Sequence, residues 1–196
     1  MSGQTVSVGQ GDGAAGSRPS PEDQAIVKAI AEGDSRRALA LCARHHGAAI
    51  GRLCMALLGS AAETDDIVQE TLLDAHAGFS GFRSESSLRS WLYAIARRKC
   101  ARHLERTTRR HAKLRLVHDS ERGDAEELIV ARERAERARA ALGQIRPSER
   151  EVFVLCFVGD LSYREVGDAC GIDEAAARKR VSRAIAKLRH AVGSRE

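Results

Sequence analysis

The chain has 196 residues, 43% of them hydrophobic, with 32 Lys and Arg against 27 Asp and Glu for a formal net charge of +5. That length accommodates one large domain or two small ones, and the basic balance favours a polyanionic partner. No run of about 18 apolar residues occurs, and the first residues lack a basic-then-apolar signal pattern, so a cytoplasmic protein without membrane insertion is expected.

In chain order, residues 1–21 are Gly, Ser, Ala and polar residues ending in Pro19-Ser20-Pro21, and are expected to form a disordered leader. Helical patterning starts near Glu22, and proline does not recur until Pro147. With no convincing strand pattern, the expected class is all-α, with helices over 22–32, 35–58, 64–77, 86–106, 126–142, 148–158, 162–170 and 174–190. The stretch 107–125 is charged, poor in large apolar residues, and contains Ser120-Glu121-Arg122-Gly123-Asp124. It reads as a flexible linker between a helical domain over 22–106 and a smaller one over 126–196. Leu114, Leu116 and Val117 leave a second reading open, in which the preceding basic helix runs on to Val117.

Cys42, Cys54, Cys100, Cys156 and Cys170 have no Cys-x-x-Cys spacing and are expected to serve as small buried hydrophobes. Cys42 with His45 and Cys100 with His103 make Cys-x-x-His pairs, but one helical turn produces that spacing by chance. No metal and no other cofactor is expected.

The first informative motif is Asp65-Asp66-Ile67-Val68-Gln69-Glu70-Thr71. Thr64 is placed to cap a helix whose first turn carries Asp65 and Asp66, where the helix dipole favours negative charge. Ile67, Val68, Leu72 and Leu73 are expected to supply the buried side. Asp66, Gln69 and Glu70 then form an exposed acidic and amide patch suited to a basic partner surface.

The next motif is compositional. Only four Phe, two Tyr and one Trp occur in the chain, and Phe79, Phe82, Trp91 and Tyr93 fall close together. Between them runs Gly78-Phe79-Ser80-Gly81-Phe82-Arg83-Ser84-Glu85-Ser86-Ser87, followed by Arg89, Arg97 and Arg98. Aromatic rings beside arginines and a polar loop can stack an unpaired base and hold its backbone. The competing reading puts Trp91, Leu92 and Ile95 in the core. Positive charge is dense from Arg97 to Arg115, opposed there only by Glu105.

The last third reads as a helix-turn-helix. Ser162-Tyr163-Arg164-Glu165 is a capping box, Gly171 ends the short helix it opens, and Asp173 caps the next. That second helix carries Arg178, Lys179, Arg180 and Arg183, mostly off an apolar stripe of Ala177, Val181, Ala184, Ile185 and Leu188. One face can pack on the domain while another meets phosphates or base edges. Cys170, at the corner, is the thiol to test first for a redox role, a packed thiol being the simpler reading.

Together these segments resemble the extracytoplasmic-function group of the sigma-70 family of bacterial RNA polymerase sigma factors. The likeness rests on Asp65 to Thr71, on Phe79-x-x-Phe82-Arg83 with Ser87-Leu88-Arg89-Ser90-Trp91-Leu92-Tyr93-x-Ile95-Ala96-Arg97, and on Leu161 to Val166 through Gly171-Ile172 to Ala184. It implies a non-catalytic protein that binds core RNA polymerase at its clamp and flap surfaces, selects promoters and helps open the DNA. The implied polymerase contacts are Asp65, Asp66, Gln69 and Glu70. The implied minus-ten contacts are Phe79, Phe82, Arg83, Ser84, Ser86, Ser87, Arg89, Trp91, Arg97 and Arg98. The implied minus-thirty-five contacts are Ser162, Tyr163, Glu174, Ala175, Ala176, Arg178, Lys179, Arg180 and Arg183. An anti-sigma factor is a further implied partner. Where the family often has Thr-Val early in the recognition helix, this chain has Ala176-Ala177, so readout there is apolar or absent. The alternative is a stand-alone helix-turn-helix regulator, which leaves the acidic helix and the aromatic loop without a role.

Overall fold

The computed structural model describes residues 19–83, 86–113, 137–138 and 140–193, and every regular element among them is helical. The helices are α1 Pro21–Ala31, α2 Ser35–Leu58, α3 Ala61–Gly78, α4 Leu88–Lys113, α5 Pro147–Phe157, α6 Tyr163–Cys170 and α7 Glu174–Gly193. A single 3-10 turn, Phe79–Gly81, joins α3 to the loop before α4. Of the helix expected over 126–142, only 137–138 and 140–142 lie among the described residues, and these are helical. The leader through residue 18 and the stretch 114–136 lie outside them.

Local chemistry accounts for the boundaries. Ser20 caps α1, accepting a hydrogen bond from the Asp23 N–H, with Pro21 at the first helical position and Glu22 and Asp23 in the first turn. Asp34 caps α2 through the Arg37 N–H. The start of α3 differs from expectation: Ser60 is the cap, not Thr64. The Thr64 hydroxyl is buried and donates back to the Ser60 carbonyl at 2.7 Å, so it serves the helix from inside. Asp65 and Asp66 therefore sit in the second turn, where the dipole is weaker. At α4, the Ser87 hydroxyl accepts from the Ser90 N–H at 3.2 Å, so the helix starts at Leu88 rather than at residue 86. The same helix continues to Lys113, past the linker boundary expected at residue 107.

The amino-terminal helices enclose a core of Ile26, Ile50, Leu53, Cys54, Ile67, Leu92 and Tyr93, all at most 2% exposed. In the carboxy-terminal part, α5, α6 and α7 pack through Val152, Leu155, Val166, Ala177 and Val181. The two parts are in contact: α4 packs on α6, α2 on α5, and the buried side chains form one continuous cluster.

A buried polar tie joins α1 to α2. His46 Nε2 lies 2.7 Å from Asp23 Oδ1, and the two side chains are 10% and 16% exposed. The hydrogen bond from His46 pulls the Asp23 carboxyl below its ordinary value, against burial, which acts the other way. A depressed carboxylate contributes stability above the unfolded value of about 4, and the contribution is lost as pH falls through the lower folded value. Asp23→Asn is therefore expected to cost about 1–3 kcal/mol at pH 7. In urea melts the gap between variant and parent should close as pH is taken below about 4; a gap independent of pH would rule out a stabilising Asp23 carboxylate.

Candidate nucleic-acid and protein interfaces

Helix α3 turns two different faces outward and inward. Thr64, Ile67, Thr71 and Ala75 form its buried spine. Asp65, Asp66, Gln69 and Glu70 are all exposed, as the motif leads one to expect. Leu73 is not on the buried side: its exposure is 63%. It falls seven residues after Asp66, so Asp66, Gln69, Glu70 and Leu73 make one outward strip at helical spacing. The sequence reading assigned every leucine of this helix to the core; the i, i+3, i+4, i+7 relation to the acidic residues was the available signal. Within the strip, Glu70 is shared: Lys99 Nζ of α4 lies 3.2 Å from it and 2.9 Å from Asp74. Asp66 and Gln69 make no side-chain hydrogen bond or ion pair among the described residues.

The aromatic segment divides. Phe79 is 2% exposed, its ring edge-on to His76 and 6.2 Å from Trp91. Its ring is therefore core and offers no face to a base, contrary to the expectation for that residue. The cause is that the 3-10 turn continues directly from α3 and carries Phe79 inward. Phe82 and Trp91 are half-buried, with ring centroids 5.1 Å apart. Arg83 is exposed and Ser86 and Ser87 are half-buried, while Ser84 lies outside the described residues. Beside the loop is a hollow of about 430 Å³, lined by Gly78, Gly81, Trp91, Arg98, Arg102 and Asp74 among others. It combines one ring with two guanidinium groups. Burial first, then repulsion from Arg97 and Arg102, lowers the Arg98 pKa, while Asp74, which also lines the hollow, acts the other way. Arg102 was not singled out from sequence because the whole run from Arg97 onward is basic.

Arg97 and Arg89 point elsewhere. Arg97 Nη1 lies 3.1 Å from Glu151 of α5. Arg89 donates to the Asp160 carbonyl at 2.8 Å, and the Ser87 hydroxyl donates to Glu165 at 2.7 Å.

The helix-turn-helix forms as its residues dictate. Glu165 accepts from the Ser162 N–H at 2.9 Å and the Glu165 N–H donates to the Ser162 hydroxyl, closing the capping box. Ser162 is thus committed to the cap. Gly171 ends α6 at φ 67°, a left-handed conformation that a side chain disfavours. Asp173 then caps α7 through the Ala176 N–H at 2.6 Å. Ala177, Val181 and Ala184 are fully buried, which fixes the rotation of α7. Glu174, Ala175, Arg178, Lys179 and Arg183 are left exposed, with Ala176 and Arg180 half-buried. Arg178 Nη2 lies 2.8 Å from Glu174 and its guanidinium stands 5.3 Å from the centroid of the Tyr163 ring.

Two family models match the chain: Sigma-70 region 2 over residues 42–110, and Sigma-70, region 4 over residues 135–188. The chain is 33% identical over 141 residues to the ECF RNA polymerase sigma factor EcfG of Rhodopseudomonas palustris, covering 68% of this chain and 74% of that protein. The chain belongs to the ECF sigma factors. A second relative is the RNA polymerase sigma factor CnrH of Cupriavidus metallidurans, 28% identical over 182 residues, or 86% of this chain and 94% of CnrH. The structure of CnrH in complex with the cytosolic domain of CnrY matches with a TM-score of 0.69 at 26% identity, covering 89% of this chain and 99% of that one. The fold is also that of the sigma factor RpoE of Bartonella quintana, solved in complex with the anti-sigma factor NepR, with a TM-score of 0.60 at 22% identity over 77% of this chain and 94% of that one.

In this sigma factor the α3 strip, the loop and α4 as far as residue 110 fall inside the region 2 match, and α5, α6 and α7 as far as residue 188 inside the region 4 match. Four of its thiols are held toward the protonated form. Burial pushes Cys42 up to about 12 and raises Cys156 and Cys170; contact with Cys54, then burial, raises Cys100. No helix among the described residues is long and apolar enough to cross a membrane.

Proposed function

We propose that this ECF sigma factor divides its work between a domain over residues 22–106 and one over 126–196, with 107–125 as the connection. In this reading the α3 strip docks on the polymerase clamp. The loop after Phe79, with Trp91, Arg98 and Arg102, receives the opened minus-ten element. The exposed face of α7 reads the minus-thirty-five element. The protein acts in the cytoplasm and works by binding rather than by catalysis.

The observation that carries this reading is the coincidence of three exposed surfaces of distinct chemistry on one chain: acidic with an apolar end on α3, aromatic and cationic beside the loop, cationic on α7. Unstacking a promoter step costs a few kcal/mol, and stacking of a released base on Trp91 returns about 1–3. Phosphate contacts fix register and base contacts specify. Because two elements are held by one chain, the second contact is effectively intramolecular. Structures of CnrH with CnrY and of RpoE with NepR support an anti-sigma partner for this chain as well.

Run-off transcription with core polymerase on a genomic fragment library tests the reading. Discrete transcripts dependent on this chain are expected, together with weak binding to the same promoters when polymerase is omitted. Tight, specific gel shifts without polymerase, and no transcripts, would favour the stand-alone regulator.

A further inference from the structure

The hollow beside the loop contains one group that neither stacking nor phosphate binding needs: a carboxylate. The lining comes from α3, the 3-10 turn and α4 alone. On α4, Trp91, Ile95, Arg98 and Arg102 recur at helical spacing and so share one face, and Asp74 joins them from the last turns of α3.

Each part is held differently. Trp91 is wedged in place: the Phe79 and Phe82 rings stand 6.2 and 5.1 Å from it, centroid to centroid, and a Cβ at Gly78 would come 3.2 Å from its ring. The ring surface left over borders the hollow. Arg98 and Arg102 are exposed, one helical turn apart, and make no ion pair or side-chain hydrogen bond among the described residues. They are free to take phosphate oxygens. Lys99 is not free, since its Nζ lies 2.9 Å from Asp74 Oδ2 and 3.2 Å from Glu70.

That ammonium group orients Asp74 without using it up. A carboxylate has about four acceptor positions, and Lys99 occupies one. The other oxygen of Asp74 makes no hydrogen bond among the described residues, and the side chain is 51% exposed. The free bases differ sharply in what they offer such a group. An unstacked base can be read along its Watson–Crick edge. Guanine alone presents two parallel donors there, N1–H and N2–H, which match the two oxygens of a carboxylate. In adenine and cytosine the amine lies beside a ring nitrogen whose lone pair repels the carboxylate. In thymine the single N–H lies between two carbonyl oxygens, which repel it from both sides.

We propose that this hollow is a guanine-nucleotide site, in which Trp91 stacks the base, Asp74 accepts from its N1–H and N2–H, and Arg98 and Arg102 hold its phosphates. The proposal rests on the minus-ten reading of the loop and names the base which that reading leaves open. A guanine in an opened strand and a free guanine nucleotide present the same chemistry, and the test separates them.

The test uses the full chain and fluorescein-labelled oligo(dT) strands, in which one central thymine is kept or replaced by guanine, adenine or cytosine. Fluorescence anisotropy reports binding. The guanine strand is expected to bind about tenfold more tightly than the all-thymine strand, with adenine and cytosine within about twofold of thymine. Hypoxanthine, which keeps N1–H and lacks the N2 amine, should lose most of the gain. Asp74→Asn offers one acceptor oxygen in place of two and should bring the guanine strand close to the others, while the fold is retained because the residue is exposed. Arg98→Glu should weaken all four strands alike. If Asp74→Asn instead tightens every strand equally, the carboxylate acts only as a repelling charge and the proposal is overturned. Equal affinity for the four strands, with Arg98→Glu still weakening each, overturns guanine selection and leaves the minus-ten reading standing. A guanine preference that survives both Asp74→Asn and Arg98→Glu puts the DNA elsewhere, and both readings fall. Excess GMP and AMP as competitors identify the source. Displacement of the guanine strand by GMP alone supports a free nucleotide as a ligand of the site, no displacement by either supports a guanine within a strand, and equal displacement by both overturns guanine selection.

Discussion

Asp66→Arg is expected to abolish binding to core RNA polymerase in a pull-down from purified components, a loss of 100-fold or more. Asp66 is exposed, makes no ion pair among the described residues, and stands on the same strip as Gln69 and Leu73. Reversing its charge removes an attraction to a basic partner surface and adds a repulsion, and disrupting one member of a desolvated charge pair costs about 2–5 kcal/mol. The fold should be untouched, since exposed helix substitutions of this kind stay within about 0.5 kcal/mol. The strip also predicts an order. Leu73→Ala should cost about tenfold, as an exposed apolar side chain at the end of the strip that docking would bury. Glu70→Gln should cost less than Asp66→Asn, because Lys99 already partly neutralises Glu70. Equal affinity for Asp66→Arg and the parent removes α3 from the interface, and a larger effect at Glu70 than at Asp66 contradicts the assigned strip.

The contrast between Leu73 and Val181 shows where sequence is sufficient. Val181 sits in an apolar stripe whose other face is mostly charged, so its burial follows from periodicity alone. On α3 the spine is Thr64, Ile67, Thr71 and Ala75, two of them hydroxyl-bearing, and hydropathy ranks the exposed Leu73 above most of it. Threonines that satisfy their hydroxyls on their own helix, as Thr71 does on the Ile67 carbonyl, become apolar surfaces, and hydropathy scales do not register this. Capping motifs were legible because their hydrogen bonds are local: Ser162 with Glu165, and Asp173 with Ala176. The pairings of Arg97 with Glu151 and of Ser87 with Glu165 were not legible. They join residues 54 and 78 apart, and nothing local distinguishes these polar groups from their neighbours. Phe79 escapes for a local reason: its direction is set by where α3 ends and the 3-10 turn begins.

Arg178→Ala is expected to lower run-off transcription by about 10- to 100-fold on promoters that depend on the minus-thirty-five element, with polymerase affinity within about twofold of the parent. A bidentate arginine contact to a base edge accounts for about 1–3 kcal/mol of discrimination. The structure shows Arg178 held before DNA arrives: Glu174 fixes one edge of the guanidinium at 2.8 Å, and the Tyr163 ring lies 5.3 Å from its centre. A pre-oriented planar fork loses less entropy on binding than a free one. Three consequences follow for the same assay. Arg178→Lys should not restore activity, because an ammonium cannot reproduce the fork. Tyr163→Phe should be silent, since the ring face is retained, whereas Tyr163→Ala should weaken discrimination. Lys179→Ala, by comparison, should weaken binding evenly across promoter sequences and reduce the salt slope by about one, as a phosphate contact does. Full rescue by lysine at position 178, or parallel loss of polymerase binding and promoter discrimination, would show that this arginine acts as bulk charge or as a structural residue and not as a reader of bases.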